Sequence, residues 1–232
     1  MNTIMLYHGS NHLVEQPRYG VGNEYNDYGR GFYCTESIDL AKEWACAEPG
    51  IGGYANAYLM DMEGLHVLNL CEPEYNILNW LALLMQNRKF STTAPIALAA
   101  KTYIIENFAV DIAPYDVIIG YRADDSYFSF ARDFINNTIS VEQLERAMRL
   151  GKLGEQVVLK SEKAFAQIHF LRDNCEPADS SVYYPLREKR DRDAKNAYLM
   201  NERAQTIVQG LFIRDIVARG LNNGNFSKAL YE

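Results

Sequence analysis

Leu6-Tyr7-His8-Gly9-Ser10, followed by Asp27-Tyr28-Gly29-Arg30-Gly31-Phe32-Tyr33-Cys34-Thr35, decides how this 232-residue chain is read. Ile4 to Tyr7 is a short apolar run that ends in His8-Gly9-Ser10, so an imidazole sits where a strand opens into backbone with little side-chain bulk. Such an edge suits a flat polar ligand. In the second segment Gly29 and Gly31 remove Cβ obstruction on either side of Arg30, and Phe32-Tyr33 resumes an extended run that sets an aromatic face beside the glycines.

Outward from this pair, short and partly alternating runs predict strands at Ile4–His8, Gly31–Thr35, Tyr54–Asp61, His66–Leu70, Val117–Tyr121, Gln156–Lys160 and Gln167–Arg172. Helical stretches lie between them at Ser37–Ala47, Tyr75–Arg88, Pro95–Asn107, Ser126–Asn136 and Val141–Leu150. The last is opened by Ser140 with Gln143 three residues on, a capping-box pattern. Helices inserted among short strands define an α+β class. After Leu171 the chain turns polar and turn-rich through Asp173–Asp179. Beyond Pro185 it reads as a charged amphipathic helix to about Arg219, with apolar positions such as Ala197, Tyr198, Met200, Ile207 and Ile216 at spacings of threes and fours. This divides the chain into a domain at 1–172 and a helical C-terminal extension at 173–232, which docks on its own core or on a partner protein.

Composition sets the bounds. At 48% hydrophobic residues the chain builds one sizeable core. No apolar run reaches membrane-spanning length and Met1-Asn2-Thr3 carries no secretion signal, so the chain reads as cytoplasmic, with export by a specialised apparatus left open. Cys34, Cys46, Cys71 and Cys175 lack the close spacing of zinc sites, and no metal is implied. A formal net charge of −7 argues against broad electrostatic binding of nucleic acid. The alternating run Arg187–Asp193 reads as a solvated helix face.

The two opening segments resemble the first two signature motifs of the ADP-ribosyltransferase superfamily, in the branch shared by diphtheria toxin and the poly(ADP-ribose) polymerases. More closely, Leu6 to about Leu171 resembles an uncharacterised bacterial domain family assigned to that superfamily, whose second motif reads Asp-aromatic-Gly-basic-Gly-Phe-Tyr; Asp27–Tyr33 fits it position by position. The resemblance implies two small, mostly antiparallel sheets framing a cleft. It implies NAD as donor substrate, with His8, Gly9 and Ser10 orienting it and Gly31, Phe32 and Tyr33 packing the nicotinamide. Asn87-Arg88, after the Trp80-bearing stretch, is similar to a further element of the family, and Arg88 is placed to reach the NAD pyrophosphate.

A third motif in the superfamily is a carboxylate at the start of a late strand, which holds the nicotinamide ribose and stabilises the oxocarbenium-like centre formed as nicotinamide leaves. The matching segment, Gly154-Glu155-Gln156-Val157-Val158-Leu159-Lys160, offers two candidates. A polymerase-like alignment favours Glu155; the bacterial family favours Gln156, and the apolar pattern sends Val157 and Leu159 inward, leaving Gln156 toward the cleft. Adjacent strand residues face opposite ways, so a regular strand admits only one. Asp124 or Asp125 is a further source of negative charge, or a cap for the helix that follows. Tyr19, Tyr25 and Tyr28 are either a lid over the donor or an ordinary tyrosine-rich loop. The loop 150–154, ahead of the third motif, is where superfamily members meet their target. The expected activity is mono-ADP-ribosyl transfer to an unidentified macromolecule, with NAD glycohydrolase, or a catalytically silent NAD- or ADP-ribose-binding module whose C-terminal helices engage a partner, as alternatives.

Overall fold

The computed structural model describes residues 2–89, 94–123, 125–150, 154–203 and 210–230. The element order is β1 Thr3–Ser10, β2 Phe32–Cys34, α1 Ile38–Ala45, β3 Gly53–Asp61, β4 Val67–Asn69, α2 Ile77–Asn87, α3 Pro95–Phe108, β5 Val117–Tyr121, α4 Asp125–Ile135, α5 Val141–Met148, β6 Glu155–Leu159, α6 Glu162–Ala166, β7 Ile168–Phe170, β8 Glu176–Ala178, α7 Ser180–Ala197, α8 Ile213–Ala218 and α9 Phe226–Ala229. The fold is α+β. All seven expected strands form. β8 was not expected, because Pro177 within 173–179 reads as a turn; it pairs with Gly53–Ala55 of β3.

One sheet has the order β1-β3-β7, with β8 also on β3, and its ladders are antiparallel. The second has the order β2-β6-β5-β4, antiparallel except for the parallel β4–β5 pair. Reciprocal backbone hydrogen bonds between Tyr7 and Thr35, at 2.8 and 2.9 Å, tie β1 to the end of β2. The core between the sheets takes Leu6, Cys34, Tyr58, Met60, Val117, Val157, Leu159 and Ile168. Fully burying a side chain of this kind contributes roughly 1.5–3 kcal/mol.

The chain divides into two compact units. The first is Met1–Cys71, Ile112–Arg122 and Leu153–Arg190; the second is Glu72–Asp111, Ala123–Lys152 and Asp191–Glu232. Residues 173–190, placed with the extension on sequence grounds, thus group with the sheets. The helices open as their sequences dictate. Ser37 caps α1 by accepting from Leu40 N, and the expected Ser140–Gln143 capping box forms at 3.3 and 2.9 Å. The C-terminal helix starts at Ser180, earlier than expected, and carries Pro185 inside it. Of the charged run, Glu188, Lys189, Arg192 and Asp193 are exposed while Arg187, Arg190 and Asp191 are half-buried, and Arg190 forms a two-pronged pair with Glu43 at 2.6 and 2.9 Å. Beyond it, Tyr198 is buried on Phe130 while Met200 is 76% exposed; Ala204, Ile207 and Val208 lie outside the described residues. Among the described residues, no helix is long and apolar enough to cross a membrane.

Candidate functional site

β1 and β2 bring the two opening motifs together. Alternation along β1 puts His8 on the face that carries Ile4 and Leu6 into the core. Beyond the last core residue the imidazole meets Phe32, with ring centroids 4.4 Å apart and planes at 32°. His8 Nδ1 lies 2.7 Å from the Tyr33 carbonyl. A carbonyl only accepts, so Nδ1 carries the hydrogen and Nε2 of the neutral ring is an acceptor. Burial lowers the His8 pKa, the Tyr33 carbonyl works against that, and His12 adds slightly to the lowering. The ring is therefore held neutral and in one tautomer.

His8, Gly31, Phe32 and Tyr33 line one wall of a cleft of about 380 Å³, and the loop after β1 lines the other with Gln16, Arg18, Val21 and Asn26. This volume lies at the small end of the roughly 300–1,000 Å³ of small-molecule sites. The loop wall is anchored by Asn56, fully buried on β3 opposite His8. Its amide donates to the carbonyls of His8 and His12 at 3.1 and 3.2 Å, and its oxygen accepts from Val14 N at 2.8 Å. Tyr58 adds a hydroxyl on the Val14 carbonyl at 2.6 Å. Sequence reasoning passed over Asn56; the signal was an amide at an inward position of the apolar run Tyr54-Ala55-Asn56-Ala57-Tyr58.

The second motif is fastened to β5 and β6 at three points. Tyr28 is fully buried and its hydroxyl donates to the Tyr121 carbonyl at 2.7 Å, lying so close to Gly120 that a Cβ there would meet it at 2.2 Å. Lys160 Nζ donates to the carbonyls of Tyr28, at 2.6 Å, and of Arg30. Gln156 Nε2 donates to the Asp27 carboxylate at 2.9 Å and to the Tyr121 carbonyl at 3.0 Å. Within the motif, Gly29 takes a positive φ of 72°, and the Tyr33 hydroxyl donates to the Gly29 carbonyl at 2.6 Å while accepting from Tyr28 N. Gly31 is needed for close approach, since a Cβ there would sit 2.7 Å from Val158 Cγ1.

The other expected site residues are placed as follows. Tyr33 pairs with Val158 across the β2–β6 ladder, so Gln156, two residues from Val158, shares the face of Tyr33, while Glu155 lies on the alternate face and is exposed. Neither lines the cleft. Ser10 donates its hydroxyl to the His12 carbonyl, within its own turn. The bare side of Gly9 is filled by α1, where a Cβ would meet Ala41 O at 2.0 Å. Arg88 belongs to the second unit, where its guanidinium lies 4.6 Å from the Phe128 ring. Asp125 opens α4 in the same unit; Asp124 and residues 151–153 of the expected target loop lie outside the described residues. Among the described residues no three metal-ligating side chains come together.

The site is thus a small aromatic and amide-lined cleft beside a neutral imidazole, at the junction of two small sheets in an α+β protein. Residues 4–170 match the family model described as Protein of unknown function (DUF3990), and the chain belongs to that family. No curated protein and no solved structure matches the chain.

Proposed function

We propose that the β1–β2 cleft takes the nicotinamide end of NAD and that the protein is a mono-ADP-ribosyltransferase acting on a macromolecular target. The observation that carries this is the convergence of His8, Phe32 and Tyr33 on one cleft, with Nδ1 committed to the Tyr33 carbonyl and Nε2 left as an acceptor for an amide or a ribose hydroxyl. The residues fit such a ligand: Phe32 and Tyr33 offer flat apolar surface for an aromatic ring, and the loop side chains Gln16 and Asn26 offer polar groups around it. Two small, mostly antiparallel sheets with inserted helices are in keeping with an ADP-ribosyltransferase-like core. NAD, when bound, supplies the nicotinamide–ribose bond that transfer breaks. His8 orients the donor, Tyr33 walls the ring, and the Asp27–Gln156 and Lys160 ties hold that wall in place.

A second reading, a silent NAD-binding module, is favoured by one observation. The Gln156 amide is committed to Asp27 and Tyr121, and no carboxylate lines the cleft among the described residues. Incubation with labelled NAD and cell lysate separates the readings. Label on a macromolecule supports the transferase, free ADP-ribose indicates a glycohydrolase, and bound intact NAD indicates the module. Absence of NAD binding removes all three.

A further inference from the structure

The loop joining β1 to β2 carries three carboxylates, and each is already engaged. Glu15 pairs with Arg172, Glu24 pairs with Arg30 at 3.3 Å, and Asp27 accepts from Gln156 at 2.9 Å. The cations show an imbalance. Arg18 lines the cleft, is exposed, and has no ion-pair or hydrogen-bond partner among the described residues. Lys160 adds a second positive charge to the same loop through the Tyr28 and Arg30 carbonyls, again without a carboxylate. No acidic side chain lines the cleft among the described residues. In a chain of net charge −7, a cleft with an uncommitted guanidinium and no acid is a local positive field selecting an anion. Guanidinium is suited to phosphoryl oxygens because its planar donors engage two of them at once.

We propose that Arg18 is the specificity residue of the cleft, gripping the phosphoryl group of a nucleotide whose other end lies against His8 and Tyr33. The ligand class is a phosphate- or diphosphate-bearing nucleoside, and only the identity of its base end rests on the nicotinamide reading above. The side chain is long enough to act from the rim, and exposure makes Arg18→Gln neutral for folding.

Calorimetric titration of the wild-type protein, Arg18→Gln and Arg18→Lys with NAD, nicotinamide mononucleotide, nicotinamide riboside and inorganic pyrophosphate provides the test. Arg18→Gln is expected to weaken NAD, the mononucleotide and pyrophosphate by about tenfold or more, the scale of a lost charge-assisted pair, with Arg18→Lys between the two. Riboside binding is expected to stay unchanged. NAD binding of equal strength in wild type and Arg18→Gln overturns the Arg18 assignment and leaves the nicotinamide cleft intact. Parallel loss of riboside overturns it as well, because the residue then shapes the cleft without gripping phosphate. Pyrophosphate binding that depends on Arg18, without binding of any nicotinamide compound, upholds Arg18 and removes the nicotinamide reading. A wild-type protein that binds none of the four removes both.

Discussion

Replacing Gly9 by alanine separates helix docking from ligand approach at the first motif. An added Cβ would lie 2.0 Å from Ala41 O, 2.7 Å from Ala45 N and 2.8 Å from Trp44 Cβ, all parts of α1. Two of these are backbone atoms, so no rotamer change relieves them; α1 must withdraw by about 1.4 Å or more to restore an ordinary contact. The helix resists, because Ser37 caps it, Ala41 is fully buried, and Lys42 and Glu43 are paired to Glu176 and Arg190. Overpacking typically costs about 1–3 kcal/mol, and an obstacle made of backbone puts this case near the top, at about 3 kcal/mol. At about 2–4 °C per kcal/mol for a chain of this size, the melting transition of the first unit falls by roughly 6–12 °C. Gly20→Ala is the control: it meets nothing within 4 Å but has a φ of 80°, so it carries only the left-handed backbone cost of about 1–2 kcal/mol. Differential scanning calorimetry gives the melting points, and NAD binding is then measured well below them. An unchanged melting point together with lost binding would show that the open side of Gly9 faces ligand, and would refute the docking argument.

The His8 ring is expected to stay in its Nδ1–H tautomer and to titrate below its usual 6.5; because the folded value is the lower one, stability and ligand affinity hold above that pH and decline as pH falls through the folded value. Nitrogen NMR showing an Nε2–H tautomer at neutral pH would contradict this. Lys160, pushed down to about 8 by burial, releases its proton before the unfolded chain does, so on its account stability rises with pH from about 8 toward 10.5. Titration of the lysine Cε resonances should find one midpoint near 8, and a set clustered above 10 would contradict the burial. Gln156→Glu sets a second carboxylate at the 2.9 Å contact with Asp27, costing on the order of 2 kcal/mol at neutral pH, and one of the two acids must titrate high. A raised carboxyl is relieved at low pH, so urea melts should show a larger deficit at pH 8 than at pH 5; equal deficits would mean the two groups do not meet.

The strands were legible because each is a short apolar run, some alternating and some, like Val117–Tyr121, apolar at consecutive positions, and that last run the structure reproduces residue for residue. The meeting of His8 with Phe32 and Tyr33 was expected only from the resemblance of the two segments to a known motif pair, since a histidine at a strand end and a Gly-x-Gly turn each read locally as ordinary structure. What sequence could not supply were ties spanning long separations. Gln156 finds Asp27 across 129 positions and Lys160 finds Tyr28 across 132, and nothing local to either residue announces the partner. Gly9 shows the other limit: a missing Cβ signals close approach but does not say whether ligand or helix does the approaching. β8 and the early start of α7 were masked by Pro177 and Pro185, whose local preference the surrounding packing overrides.

The interleaved make-up of the first unit bears on how the protein comes into being. β2 has β6 as its ladder neighbour, with Cys34 set against Val157, so the strand that carries Tyr33 waits for most of the chain to be synthesised. Until then a growing chain exposes Phe32-Tyr33-Cys34 with unpaired backbone, a template for association with other chains. The intervening segments Glu72–Asp111 and Ala123–Lys152 belong to the other unit and carry helices α2 to α5. Closure entropy grows only slowly with loop length, about 0.6 kcal/mol per doubling, so the interleaving weighs on the timing of assembly far more than on the finished stability.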